Sequence, residues 1–464
     1  MMKNTELTGT KLNISMLNST KPLYEQILKS ANQNTHRFCT PSHKGVNLDC
    51  FLDAVLPFDL TELPDTDNLW APEGVIKEAE QLASQAFFSQ NTCFITTGAS
   101  TAVKASIFLT ANKGKLLCDR FCHHSLTDAL ALCDTEPVWV TGAFNAEFNI
   151  PLPPTAQQLD TVLSCYNEIS AVFITTPNYY GVLADIPAIK KVCCEHSVIL
   201  IVDNSHGTHL AFFNNGELHP MNCGADICID SAHKTMPVLT GGAMLHSNLF
   251  NKHELKQALS LFSSSSPSYL TLASLDFARE FAENNKVLFD NTANYCKNFK
   301  QQLAQHEIKC LSDKNTDPMR VSFNIPNAKD IYNTLYKNGF SLEMCDNNNI
   351  VAIFSPICSE KEINMLASEI KILYNSIGMD IQHGKNSITY PELVPKMSLR
   401  EAVFSQKEFL NTDDCIGRIS AQTVTVYPPS IPIIIPGEEI TAEISELITG
   451  RGIKEILVVK GYSK

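Results

Sequence analysis

In "DICIDSAHKTMPVLTGGAMLH", residues 226–246, a lysine stands just past a run that has the pattern of a buried strand. Lys234 is flanked by Ser231, His233 and Thr235 and followed by Gly241-Gly242. Lysine is costly to bury without a partner, so it either reaches solvent or is covalently occupied. Its amine can condense with an aldehyde to a Schiff base, and a pyridinium held by a carboxylate then serves as an electron sink. A carboxylate suited to that task, Asp203, closes the apolar run of "VILIVDNSHG", with His206 three residues on. An acid at the end of a buried strand needs a cationic partner, such as a protonated ring nitrogen. Taken alone, it serves equally as a turn residue.

Two further stretches bear chemistry. "TTGAST" (96–101) sets Gly98, Ala99, Ser100 and Thr101 between a strand and a helix start. Free backbone N–H groups and two hydroxyls there make a phosphate cradle, or a plain N-cap. Ser231 and His233 are placed to bind the same phosphate. In "RFCHHS" (120–125) His123 follows another strand, where an imidazole can stack on a ring, although a lone histidine is more often a satisfied core or surface residue. Cradle, acid and lysine, in that chain order and each at a strand end, meet the needs of pyridoxal 5′-phosphate.

The elements that must position them follow from hydrophobic periodicity. "NTCFITTGAS", "GKLLCD", "EPVWVTG", "SAVFITTP", "SVILIVDNS" and "ADICIDSAH" have strand patterns, separated by helical segments such as "TAVKASIFLTA" and "SLTDALALC". That alternation predicts an α/β fold with a mostly parallel open sheet covered on both faces. Residues 276–305 predict one long helix leading to a compact α+β unit, and "HGKNSITYPEL" (383–393) predicts a linker. The expected division is an N-terminal segment 1–60, a cofactor-binding large domain 61–290, a small α+β domain 291–382 and a C-terminal domain 383–464.

Composition narrows the function classes. At 464 residues the chain exceeds one ordinary core, and 44% hydrophobic with 18% charged residues fits a globular enzyme. A net charge of −13 argues against nucleic acid or an anionic membrane surface as partner, and is compatible with a cationic small molecule. The 16 cysteines are scattered without paired CxxC spacing, so reduced thiols in a cytoplasmic protein are expected. Cys118, Cys122, His123 and His124 hint at a metal, but two further ligands at suitable spacing are not evident and no metal is expected. There is no charged-then-apolar leader and no apolar run of membrane-spanning length.

The motifs taken together resemble the Orn/Lys/Arg decarboxylases, bacterial pyridoxal-phosphate-dependent enzymes of the aspartate-aminotransferase fold (fold type I). The similarity runs from "PLYEQIL" and "TPSHKG" through "LTELPDTDNLWAPEGVIKEAEQLA", "TTGAST", "TTPNYYGV", "DNSHGTH" and "SAHKTMPVLTGGAMLH". It continues through "SPSYLTLASLD" and "LEMCDNNNIVAI" to "CIGRISAQTVTVYPPSIPIIIPGEEIT". The resemblance implies that Lys234 carries the Schiff base, that Asp203 pairs with the pyridinium nitrogen and that His123 stacks on the ring. Ala99, Ser100, Thr101, Ser231 and His233 would hold the phosphate, and His206 would flank the ring. It also implies a homodimer, or a higher homo-oligomer, with the active site at the subunit interface. Ser264 and Ser265 of "SSSSPSY" (263–269) would lie on a loop reaching the partner's site.

This chain departs from the family pattern at Ser42 and Ser430, where glycine is usual, and at Asn204-Ser205, where an acidic or small residue and then alanine are usual. It resembles the short members without an N-terminal wing domain, which implies arginine decarboxylation to agmatine in polyamine biosynthesis, with lysine and ornithine as alternatives. For the substrate's distal cation the candidates are Glu62, Asp65, Asp67, Glu438 and Glu439, each also readable as a loop or helix-terminal acid. Other pyridoxal-phosphate chemistry on the same fold, or an inactive regulatory homologue, would share these motifs.

Overall fold

The computed structural model describes residues 19–33, 35–111, 114–376, 395–426 and 431–461. The linker expected at 383–393, and Ser430, lie outside the described residues. Helix α1 (Pro22–Ala31) starts with proline at its first turn, and Asp276 accepts the N–H groups of Leu23 and Tyr24 at 3.0 and 3.2 Å. It packs with α2 (Val75–Ala86) on the large domain.

The large domain then alternates as the periodicity predicts: β1 (Asn91–Ile95), α3 (Ala99–Ala111), β2 (Lys115–Asp119), α4 (His124–Cys133) and β3 (Pro137–Val140). A short hairpin, β4 (Phe144–Asn145) and β5 (Ile150–Pro151), precedes α5 (Ala156–Cys165) and β6 (Ile169–Thr175). The domain continues with α6 (Ile186–Glu195), β7 (Ile199–Asp203), β8 (Ile227–Asp230) and β9 (Ala243–Ser247). The sheet order is β1-β9-β8-β7-β6-β2-β3. Strands β3, β2, β6, β7 and β8 are parallel, and β9 is antiparallel to both of its neighbours.

Two features depart from the sequence reading. Strand β9 was not expected, because "AMLHS" is a short apolar run without alternation directly after a glycine pair. The long helix expected over 276–305 is broken at Asn285 into α8 (Tyr269–Asn284) and α9 (Lys286–Ala304) after α7 (Lys252–Ser260). Asn285 takes φ −127°, ψ 35°, and its side-chain amide donates to Phe281 O at 2.7 Å.

The small domain is an antiparallel sheet of β10 (Lys309–Cys310), β11 (Arg320–Asn324), β13 (Asn349–Ile353) and β12 (Met344–Cys345), backed by α9, α10 (Ala328–Lys337) and α11 (Glu360–Ser376). Phe299, Phe323 and Ile370 lie in its core. The C-terminal domain contains α12 (Leu399–Phe404), β14 (Lys407–Asn411), β15 (Val424–Val426), β16 (Ile431–Ile434), α13 (Ala442–Thr449) and β17 (Glu455–Val459). Its own core includes Ile433, Ile440, Ile444 and Ile456.

Candidate active site

Because β9 runs against both β1 and β8, those two strands are parallel to each other, and the carboxyl ends of β1, β8, β7, β6 and β2 share one edge. In open α/β sheets that edge is where ligands bind. Glycines join two of those ends directly. Gly241 O accepts from Gly98 N at 2.8 Å, and Gly242 O accepts from His233 N at 3.1 Å. Gly241 has φ +92°, and a Cβ there would lie 3.1 Å from Thr96 O. Consecutive carbonyls thus bind the turn before α3 and the turn that carries Lys234. The first turn of α3, with Ala99 and Ser100, faces the same edge as Ser231 and His233; Ser231 is buried and His233 half-buried. Thr101 Oγ1 meets Thr97 Oγ1 at 2.9 Å.

Lys234 lies on a single 3₁₀ turn after β8, with its Nζ 3.0 Å from His206 Nε2. The other nitrogen of that ring, Nδ1, is 3.1 Å from Arg320 Nη2. A guanidinium can only donate, so Nδ1 accepts and the proton of the neutral ring sits on Nε2. That proton points at Lys234, which must accept it as a free amine. Burial holds the Lys234 ammonium below its usual range; Asp203 opposes this and Arg320 adds to it. His206 is likewise pushed well down, by burial first and then by Lys234 and Arg320. The His206 tautomer calls for a neutral, nucleophilic lysine, and burial shifts the ammonium in the same direction.

Asp203, at the end of β7, is buried, and burial raises its carboxyl above the ordinary range. Ser205 donates to its Oδ1 through both backbone N–H and hydroxyl. Among the described residues no Lys, Arg or His nitrogen lies within 4.0 Å of it. His123 is the N-cap of α4, where its Nδ1 accepts from Ser125 N at 3.2 Å, and burial holds the ring neutral, its pKa lowered to about 3. A buried acid lacking a cation, a free-base lysine and a helix N-terminus with Ser231 and His233 form a donor set that fits a phosphorylated pyridine aldehyde. A Cβ built on Gly98 would meet nothing within 4 Å, so space remains above the cradle.

Three residues at this site were not singled out from the sequence. Arg320, from the small domain, is buried and also donates to Asn178 O and Tyr179 O, each at 3.1 Å. The Tyr179 and His206 rings lie 4.6 Å apart. Glu343, just before β12, is close enough that its charge raises both Lys234 and Arg320. Tyr179 and Glu343 lie within the stretches "TTPNYYGV" and "LEMCDNNNIVAI", but nothing in those stretches marks either side chain for this site, and only folding brings all three residues to the strand ends.

The acids proposed for a distal cation are mostly committed elsewhere. Asp67 accepts N–H groups of Glu73, Gly74 and Ile76 at the start of α2. Glu438 is buried and paired with Arg120 at 3.3 Å. The oxygens of these two acids hold internal donors, as the loop or helix-terminal reading of each expects. Asp65 accepts from Gln26 and Ser30, and Glu439 pairs with Lys396 at 3.4 Å. Glu62 is exposed, on the loop near Tyr269. Ser264 and Ser265 are exposed, with Ser264 Oγ accepting from Ser266 N at 3.1 Å, and Thr97 contacts the neighbouring Ser263. Asn204 donates to Asp230, whose other oxygen meets His219 and His246 at 3.0 and 3.2 Å. The compact metal-like group among the described residues is His219, Cys228 and Asp230, not the cluster at 118–124, and its acid is already held by these histidines.

Residues 21–323 match the Orn/Lys/Arg decarboxylase major domain, and residues 381–449 match the C-terminal domain of the same family. An arginine decarboxylase of Bacillus subtilis is 30% identical over 448 residues, 91% of each chain. An inducible lysine decarboxylase of Escherichia coli is 22% identical, covering 91% of this chain and 75% of that one. The crystal structure of a Francisella novicida lysine decarboxylase has TM-score 0.82 at 19% identity, covering 95% of this chain and 81% of that one.

Proposed function

The chain belongs to the Orn/Lys/Arg decarboxylase family, an enzyme that removes the carboxylate of a basic amino acid with pyridoxal phosphate, and we propose that its substrate is L-arginine, released as agmatine and carbon dioxide. The similarity to the Bacillus arginine decarboxylase over nearly the full length of both chains carries that choice. Lysine is the runner-up, since the more distant E. coli relative is a lysine decarboxylase.

Lys234 would hold the cofactor through Nζ, and Asp203 would keep a proton on its ring nitrogen. The α3 N-terminus with Ser100, Thr101, Ser231 and His233 would bind the phosphate, and His123 would cover one ring face. The bound cofactor supplies the sink for the electron pair left when the carboxylate departs. His206 Nε2 and Lys234 Nζ, 3.0 Å apart, can pass a proton between them at this site. Glu343 is the carboxylate we assign to the substrate's distal cation, because it is exposed and its charge already acts on Lys234.

We further infer a cytoplasmic homodimer, whose product feeds polyamine synthesis. No helix among the described residues is long and apolar enough to cross a membrane. Phe38 and Phe51 are 94% and 92% exposed, with Val46 and Leu48 half-exposed between them, an apolar surface suited to a second copy.

The deciding experiment offers arginine, lysine and ornithine separately to the cofactor-loaded protein and measures amine and carbon dioxide. Lys234→Ala serves as the control. Agmatine from arginine, absent with the variant, is expected. A keto acid without carbon dioxide would overturn the assignment.

A further inference from the structure

Glu438 belongs to a set of contacts through which the C-terminal domain grips the helix that starts at His123. Arg120, three residues before His123, donates to Pro432 O at 3.2 Å and pairs with Glu438 at 3.3 Å, with both charges buried. Glu438 Oε2 also accepts from Ile435 N at 2.8 Å. One carboxylate thereby ties the β2–α4 turn to the strand end of the other domain.

Further along α4, Thr127 Oγ1 meets Thr423 Oγ1 at 2.8 Å. At its far end Arg400 Nη1 donates to Ala131 O and Leu132 O at 3.2 and 3.1 Å. Those carbonyls belong to the last turn, where intrahelical donors run out. Leu399 and Ile435 are buried in the same apolar cluster as Leu126, Ala129 and Leu130. Helix α4 is therefore held at its start, its middle and its end by a domain that follows it by some three hundred residues in the chain. A buried ion pair is weak evidence for stability; what this one visibly does is fix the β2–α4 turn against the C-terminal domain through two contacts of Arg120.

We propose that the C-terminal domain is a positioning device for His123, and that Glu438, acting through Arg120 and α4, sets the angle at which that imidazole covers the cofactor ring. The inference rests on the reading of His123 as the ring-covering group. Glu438 is committed to Arg120 and Ile435 and acts at a distance from substrate and cofactor.

The test is a double-mutant cycle on the full-length protein, stripped of cofactor and titrated with pyridoxal phosphate. The readouts are its dissociation constant and the circular dichroism induced in the bound cofactor. Glu438→Gln is expected to weaken binding about tenfold and diminish the induced signal, and His123→Ala is expected to abolish that sensitivity. Purely additive effects would overturn the positioning role while leaving His123 on the ring. If His123→Ala alone changes neither readout, the ring-covering reading fails, and the proposal with it. Should Glu438→Gln fail to fold, Thr423→Val replaces it in the same cycle. A smaller shift of the same sign, lost with His123→Ala, supports the proposal, and no shift overturns it.

Discussion

Ser205→Ala offers the sharpest test of how Asp203 is tuned. Burial raises this carboxyl, and the Ser205 hydroxyl is the largest influence pulling it back down. A hydrogen bond to a charged acceptor contributes roughly 1.5–3 kcal/mol. The backbone N–H of Ser205, 3.1 Å from the same oxygen, survives the substitution and retains part of that. An upward shift of about one pKa unit, ~1.4 kcal/mol, is the expected remainder.

The sign is fixed by the protonation states. Only the ionised carboxylate can hold a proton on the ring nitrogen, so affinity for pyridoxal phosphate climbs as pH rises through the Asp203 pKa. In Ser205→Ala that ascending limb should lie about one unit higher than in the parent protein. Stability responds through linkage. A buried acid whose folded value is raised loses stability as pH rises from the unfolded to the folded value, and the variant extends that window upward. The assay is the dissociation constant of pyridoxal phosphate against pH for both proteins, with thermal unfolding alongside. A limb that stays in place, or moves to lower pH, would refute the view that the hydroxyl donates to this carboxylate.

Arg320→Met should raise the Lys234 pKa, because it removes a nearby positive charge and frees the His206 tautomer; stopped-flow capture of pyridoxal phosphate by the cofactor-free protein should then be slower at neutral pH and recover at higher pH. Glu343→Gln should raise KM for the basic amino acid by roughly 10- to 100-fold with a smaller change in kcat, as loss of a charged hydrogen bond requires; an unchanged KM would remove Glu343 from the substrate pocket. Gly181→Ala should lower activity and cofactor affinity together, because Gly181 has φ +87° and a Cβ there would crowd the Arg320 side chain at 3.0 Å; spectroscopic titration of the variant checks this.

Much of the site was legible because strand ends are local events. An apolar run followed by Asp203, or by Ser231-Ala232-His233-Lys234, declares both a buried strand and the polar group at its end. The cradle at Gly98–Thr101 was legible for the same reason, since a strand, a small-residue turn and a helix occupy one short stretch. The substrate acids were not. In the sequence Asp67 and Glu438 read either as substrate acids or as loop or helix-terminal acids, and only the fold reveals the donors that occupy them. Glu343 lies within "LEMCDNNNIVAI", yet nothing in that stretch marks it for this site; its nearness to Lys234 comes from where the small domain sets β12.

The sequence by itself determined the alternation of strands and helices, the family and the chemistry-bearing side chains at the strand ends. These follow from periodicity and residue type within short windows. The tertiary structure alone decided that β9 would run antiparallel and return Gly241-Gly242 between the cradle and Lys234. It also decided that Arg320, from another domain, would fix the His206 tautomer, and that the C-terminal domain would close on α4. Hydrogen bonds and desolvation act over a few ångströms of space, whatever the distance along the chain, so these pairings exist only once the domains have packed.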